Sequence, residues 1–200
     1  MRCLYCDKPI EKYTLYSFLL EPDELCIECR KKLKVKHRYL DLGEFKVESF
    51  FEYDSLFKSL LLQYKECGDE ALKKVFLYEL KSYLDIRYFG YKMIMVPSSK
   101  IKLQSRGFDH LEGIFEDVKL QKVKGLRMKE ELCQEGKKFF ERAKMADNYV
   151  YEGEKLAKVL IVDDMVTTGS SLRGVYRAMA LHAGKIKVLS LAYKNYTLQS

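Results

Sequence analysis

Long hydrophobic runs are missing from this chain of 200 residues. No segment approaches the ~20 consecutive apolar residues that a membrane-spanning helix needs, so we expect no membrane span. The chain reaches Cys3 and Cys6 before an apolar run could begin, which predicts that there is no signal peptide. We therefore expect a cytoplasmic protein, in which cysteines stay reduced and paired cysteines more often bind metal than form disulfides.

The bulk composition permits several function classes. Hydrophobic residues make up 48% of the chain, enough to bury a core, and the length indicates one main domain with a small appendage. Lys and Arg outnumber Asp and Glu by 36 to 29, which gives a formal net charge of +7. This excess permits an anionic partner, but many ordinary proteins are as basic, so charge alone does not select a function.

Four of the six cysteines form two Cys-x-x-Cys pairs, Cys3 with Cys6 and Cys26 with Cys29. Nineteen residues separate the pairs, a spacing typical of a structural four-thiolate zinc site. A segment as short as residues 1–40 buries too little apolar surface to fold alone, so we expect zinc to supply most of the stability of a zinc-ribbon-like module. Two disulfides or a redox Cys-x-x-Cys remain alternatives.

A basic run follows the second cysteine pair, with six Lys and Arg among residues 30–38. Next to a zinc module, such a run is typical of a contact with a nucleic-acid backbone. The alternative is the solvated face of a helix that starts near Cys26. The residues predicted for the nucleic-acid contact are Arg30, Lys31, Lys32, Lys34 and Lys36.

Residues 41–90 are predicted to form a helical region over the main domain. The apolar spacing predicts one helix from Ser55 to Glu66 and a second from Asp69 to about Leu84. Residues 41–53 are predicted to form a short strand or an extended linker. Lys65 either approaches an anionic ligand or is a lysine favoured by the helix dipole.

The strongest functional pattern is residues 159–171. A short apolar run predicts a buried parallel strand, and Asp163 and Asp164 follow it at the carboxyl end, where open α/β sheets bind ligands. A turn rich in hydroxyl groups then leads into a helix, which suits an oxyanion, and two adjacent carboxylates suit the two hydroxyls of a ribose. The predicted cradle for the 5-phosphate is Thr167, Thr168, Gly169, Ser170 and Ser171. The alternative is a buried strand followed by an ordinary serine helix cap.

A second strand, Tyr91 to Val96, precedes another polar segment. Hydroxyls and cations in a loop at a strand end can bind a pyrophosphate, so we expect such a loop here. Its predicted ligand-binding residues are Ser98, Ser99, Lys100 and Arg106. A basic surface loop is the alternative.

Residues 159–171 resemble the phosphoribosyl-pyrophosphate (PRPP) motif of the type I phosphoribosyltransferases. The resemblance implies an α/β fold with a parallel sheet, whose core is residues 91–200. It also implies that Asp163 and Asp164 bind the ribose hydroxyls, that residues 167–171 bind the 5-phosphate, and that Mg²⁺ accompanies the pyrophosphate.

A narrower resemblance comes from Val96-Pro97-Ser98 and from residues 105–110, which are similar to signatures of the ComF family. Those proteins are phosphoribosyltransferase-like, carry N-terminal cysteine pairs and are associated with DNA uptake in competent bacteria. Asp109-His110 stands where Asn-Gln is usual, which removes an amide donor and adds negative charge near the expected diphosphate. Residues 119–148 resemble the family's mobile flap through Gln134, Arg142 and Asn148.

The resemblance implies a ComF-type protein that binds PRPP with Mg²⁺ and single-stranded DNA and acts in natural transformation. A competence helicase or other uptake proteins are the expected partners, and whether the chain transfers the phosphoribosyl group stays open. One alternative is a salvage phosphoribosyltransferase that acts on a nucleobase or amine. The other is a DNA-binding adaptor without catalytic activity.

Overall fold

The computed structural model describes residues 1–10, 23–128 and 148–194. Its seven strands are β1 Arg38–Asp41, β2 Lys46–Glu52, β3 Lys92–Met95, β4 Leu126–Met128, β5 Tyr149–Tyr151, β6 Leu156–Val166 and β7 Ala183–Tyr193. Its six α-helices are α1 Ile27–Lys32, α2 Ser55–Cys67, α3 Lys81–Arg87, α4 Lys100–Arg106, α5 His110–Ile114 and α6 Ser170–Ala180. None of the described helices is long and apolar enough to cross a membrane.

Five strands form the central sheet in the order β1-β2-β7-β6-β3. β2, β7, β6 and β3 are parallel, and only β1 is antiparallel to its neighbour. The centre of β6, from Val159 to Val162, has no exposed side chain, as expected for a strand covered on both faces. The predicted α/β fold with a mostly parallel sheet is confirmed.

The sheet takes two of its strands from residues 38–52. The predicted alternatives for residues 41–53 were a strand or a linker, and the structure shows strand β2 paired with β7 from Val47 to Glu52. Each of the predicted regions 1–40, 41–90 and 91–200 therefore contributes residues to the same sheet. The division of the chain into these three units remains a prediction.

Helix α2 confirms the predicted helix, and Asp54 caps its start. The Asp54 side chain, rather than that of Ser55, accepts a hydrogen bond from the Phe57 amide at 2.9 Å. Gly68 ends the helix in the left-handed conformation at φ 70°. This end places Lys65 close to the carboxyl end of the sheet.

The predicted second helix, Asp69 to Leu84, is wrong as one continuous element. The chain instead forms a 3₁₀-helix, Glu70–Lys74, then turns, and begins α3 only at Lys81. Val75, Phe76 and Leu77 are all buried. Three consecutive buried residues need partners on more sides than one face of a helix provides, so tertiary packing overrides the helical periodicity.

The predicted pyrophosphate loop is also partly helical. Ser99 caps α4, its hydroxyl accepting from the Lys102 amide at 3.4 Å, and the helix runs from Lys100 to Arg106. Lys100 and Arg106 therefore lie at opposite ends of a helix rather than in one loop. The next helix along the chain is the short α5.

Candidate functional site

Asp163 and Asp164 lie inside β6, which continues to Val166. Neighbouring residues of a strand point to opposite faces of the sheet, so the two carboxylates have different surroundings. Asp163 faces the turn before α6, whereas Asp164 faces the end of α2 and the start of α5. The pair shares one contact, because the Asp164 amide donates to Asp163 Oδ1 at 2.9 Å.

The turn before α6 forms a small polar cavity of about 40 Å³. Asp163 and every residue from Thr167 to Ser171 line it, so the structure brings this predicted set together. Gly169 has φ 72°, and a Cβ there would lie 2.5 Å from Leu42 Cδ1. The positive φ favours glycine at this bend. The bend leads into the first turn of α6, whose amides lack partners within the helix and can donate to an anion.

Hydrogen bonds hold the turn in shape before any ligand binds. The Thr168 and Ser170 hydroxyl oxygens lie 2.8 Å apart, and Arg173 Nη1 donates to the Thr168 carbonyl at 2.8 Å. Arg173 was not predicted as a site residue. Its position four residues after Gly169, one helical turn into α6, was the signal that could have found it.

Asp164 is held by two cationic or ionisable side chains. Lys65 Nζ contacts Asp164 Oδ2, and His110 Nε2 lies 3.3 Å from the same oxygen. The side chains are only 15% exposed for Lys65, 7% for His110 and 13% for Asp164. Lys65 thus lies at the carboxyl end of the sheet, and sequence reasoning missed His110.

The two carboxyl groups titrate in opposite directions. Burial raises the pKa of Asp163 well above its usual value, and the neighbouring Asp164 charge adds to this. Burial also acts to raise the pKa of Asp164, but His110 and Lys65 outweigh it and hold that pKa below its usual range. The surroundings therefore stabilise the charged form of Asp164 and disfavour the charged form of Asp163.

The predicted pyrophosphate residues are only partly brought together. Ser98 Oγ lies 3.4 Å from His110 Nδ1, which connects the end of β3 to the surroundings of Asp164. Arg106 Nη2 donates to Glu66 Oε1 at 2.7 Å, and its side chain is 9% exposed. A role for Arg106 in ligand binding would require it to leave Glu66.

Asp109 has a clear structural function. Asp109 Oδ1 caps α5 by accepting from the amides of Leu111 at 2.9 Å and Glu112 at 3.2 Å. An aspartate provides the acceptor that this cap needs.

The predicted flap is only partly described. Residues 129–147, which include Gln134 and Arg142, lie outside the described residues, while Asn148 is described and buried.

The four N-terminal cysteines form a candidate metal centre. Their sulfur atoms all lie within 4.8 Å of one another, and Cys6 Sγ and Cys26 Sγ are 3.6 Å apart. A tetrahedral site with Zn–S bonds of about 2.3 Å needs sulfurs about 3.8 Å apart, so the residues fit such an ion. The cysteines can hold a metal ion with no open coordination position.

Backbone donors favour the thiolate of Cys3 at this centre. Burial would raise the pKa of Cys3, but the amides of Cys26, Cys6 and Tyr5 outweigh it and lower that pKa to about 7. Burial and the neighbouring thiols raise the pKa of Cys29. Four thiolates this close repel one another, and a divalent cation offsets that repulsion.

The predicted nucleic-acid residues have different environments. Arg30 fastens the cysteine module to the core, because it pairs with Asp23 at 2.6 Å and donates to the Val75 carbonyl at 2.9 Å. Lys36 pairs with Glu52. Lys31, Lys32 and Lys34 are exposed, and these three are the members best placed to meet a phosphate backbone.

Comparison with known proteins places this geometry in context. No protein-family model matches the chain. The competence protein ComFC of Streptococcus pneumoniae is 28% identical over 166 residues, which are 82% of this chain and 70% of that protein. The match supports a ComF-type protein. The mostly parallel sheet and the four clustered cysteines agree with the resemblance to the ComF family.

Two solved structures show a looser similarity. A hypoxanthine phosphoribosyltransferase from Staphylococcus aureus has a TM-score of 0.39 and 12% identity, covering 63% of this chain and 65% of that one. A hypoxanthine-guanine phosphoribosyltransferase from Bacillus anthracis has a TM-score of 0.40 and 10% identity, covering 66% and 77%. The chain spans less than two thirds of the first of these enzymes, and no residue roles are transferred from either.

Proposed function

We propose that this chain binds PRPP together with Mg²⁺. The observation that carries the proposal is the polar cavity that Asp163 forms with residues 167–171 at the end of β6. The amides and hydroxyls of the turn suit the 5-phosphate, and the adjacent carboxylate suits the ribose hydroxyls. Asp164 would contribute Oδ1, because Lys65 and His110 face its other oxygen.

The pyrophosphate would lie toward the end of β3. Ser98, Ser99 and Lys100 would hold it there, with Arg106 recruited from Glu66. Within the described part of the chain, the four cysteines form the only cluster of three or more metal-ligating side chains. Mg²⁺ would therefore be held mainly by diphosphate oxygens and water, which is its usual manner of binding beside phosphates.

Ligand binding is supported better than a particular transfer reaction. Transfer from PRPP would break the bond between C1 of the ribose and a pyrophosphate oxygen, and the protein would orient and electrostatically stabilise the cationic ribosyl centre. We assign no general base and no acceptor. A salvage phosphoribosyltransferase is the alternative, and pyrophosphate release with one member of a nucleobase panel would favour it.

Calorimetric titration with PRPP and Mg²⁺ tests the proposal. We expect Asp163→Ala to weaken binding about tenfold, because the ribose hydroxyls lose a hydrogen-bonding partner, and a lost hydrogen bond costs about 1.5 kcal/mol. Asp117→Ala is the matched control, since Asp117 is exposed. Absence of binding by the unaltered chain, or equal affinity for both variants, would rule out the site.

We further propose that the chain binds single-stranded DNA and acts in DNA uptake during natural transformation, in the cytoplasm, with a competence helicase or other uptake proteins. The structural support is the exposure of Lys31, Lys32 and Lys34 beside the cysteine module. A non-catalytic DNA-binding adaptor would use this same surface.

Zinc is the proposed metal of the four-cysteine centre.

The DNA proposal predicts a defined salt dependence. Each phosphate contact with a single strand contributes about −0.7 to the slope of log affinity against log salt. Replacing Lys31, Lys32 and Lys34 by Gln should therefore weaken binding and flatten the slope by about 2. A matched triple variant at three other exposed lysines, Lys58, Lys155 and Lys185, should change neither as much. An unaffected slope in the first variant would refute the proposed surface.

A further inference from the structure

A buried histidine connects the two halves of the proposed site. His110 is 5% exposed, and its ring lies between Ser98 at the end of β3 and Asp164 at the end of β6. The ring nitrogens are 3.4 Å from Ser98 Oγ and 3.3 Å from Asp164 Oδ2. We infer that His110 is a positioning residue that couples the pyrophosphate side of the site to the ribose side.

Two contacts hold the backbone of His110 and thereby restrict the position of its ring. Asp109 caps the first turn of α5, and Tyr64 Oη donates to the His110 carbonyl at 3.1 Å. Tyr64 precedes Lys65, so the end of α2 fixes both the backbone of His110 and the cation on Asp164. Ser98 and Asp164 are thus connected through a side chain with little freedom to move.

Both contacts of the His110 ring are longer than typical hydrogen bonds. Among the described residues, His110 Nε2 is the only buried side-chain nitrogen or oxygen without a hydrogen-bond partner, although Asp164 Oδ2 is near. An unsatisfied buried donor is costly. Long contacts in a free protein often shorten when the ligand binds. A ligand that orders Ser98 and Asp164 together would bring both contacts into alignment.

If His110 couples the two sides, the affinities for PRPP, ribose 5-phosphate and pyrophosphate depend on it to different extents. The inference rests on the proposed function, in which PRPP contacts both sides. Ribose 5-phosphate reaches only the side of Asp163 and Asp164, and inorganic pyrophosphate reaches only the side of Ser98. Cooperation through His110 therefore strengthens PRPP binding alone.

The test is calorimetric titration of the full chain with each of these three ligands in Mg²⁺. We expect His110→Leu to weaken PRPP binding about tenfold and to change the other two affinities less than about twofold, in the range of measured coupling energies. His110→Gln should restore most of the PRPP affinity, because its amide offers a donor and an acceptor at similar reach. His110→Asn is too short to reach both partners and should resemble His110→Leu. Urea unfolding of each variant shows that it is folded.

The outcomes separate this inference from the proposed function. If the unaltered chain does not bind PRPP, both are overturned. If it binds PRPP and His110→Leu binds equally well, only the coupling is overturned. An equal loss for all three ligands would show a general structural role and would also overturn it. If His110→Leu does not fold, the comparison of the Gln and Asn variants decides in the same way.

Discussion

At the scale of single residues, the two aspartates of β6 differ more than their adjacency implies. Asp164 lies against Lys65 and His110, whereas Asp163 faces the turn before α6. Removing a buried carboxylate that neutralises a buried cation leaves that cation buried and unpaired. Asp164 therefore supports the fold as well as the site, while Asp163 is available to a ligand.

This difference predicts unequal losses of stability. Asp164→Asn should lower the free energy of unfolding by about 3 kcal/mol at pH 7, because Lys65 loses its buried partner. Asp163→Asn should lower it by less than about 1 kcal/mol, since burial and the Asp164 charge already favour the neutral form of Asp163. Urea unfolding measures both, and equal losses would contradict the assignment.

The two groups also predict opposite effects of pH. The pKa of Asp164 is held below its usual value, so its stabilising contribution is present above the unfolded pKa, near 4, and is lost as the pH falls. The raised pKa of Asp163 makes its ionisation unfavourable to folding as the pH rises. Asp164→Asn should therefore reduce the loss of stability in acid, and Asp163→Asn should not.

At the scale of structural elements, we expect the cysteine module to be the part that depends most on a bound ion. Its described elements are α1 and the segment around Cys3 and Cys6, and Arg30 connects it to the core through Val75. Such a small unit has little apolar area of its own to bury. We therefore expect the closing of the two cysteine pairs around a metal ion to provide most of its stability.

Metal analysis tests this dependence directly. We expect one zinc ion per chain, its loss in Cys29→Ser, and its retention in Cys67→Ser, because Cys67 is exposed at the end of α2 and outside the cluster. Chelation should increase amide exchange in residues 1–10 and 23–33 more than in β6 or β7. Full retention of zinc by Cys29→Ser would contradict the proposed site.

At the scale of the whole molecule, the sequence predicted those parts of the site that are local in the chain. The apolar run of β6, the acidic pair and the turn are contiguous, and the structure places Asp163 beside that turn as expected. The four cysteines were also predictable, because their spacing is itself the pattern. Such features can be predicted without knowing which elements pack together.

The parts that escaped prediction depend on contacts between distant segments. Lys65 and Asp164 are 99 residues apart in the chain, and Tyr64 and His110 are 46 residues apart. Hydrophobic periodicity reports one face of an element and not its partner, which is also why the segment from Asp69 to Leu84 was predicted as one helix. The PRPP, magnesium and DNA contacts remain predictions.

In the proposed site, one turn of backbone binds a sugar phosphate while the adjacent carboxylates bind its hydroxyls. A crystal structure of the chain with PRPP and Mg²⁺ tests it most directly, and anomalous scattering would identify the metal of the cysteine centre in the same crystal. We predict the 5-phosphate on the amides of residues 168–171, with the ribose hydroxyls at Asp163. Clear density for PRPP elsewhere, with this turn contacting only protein side chains, would contradict the account.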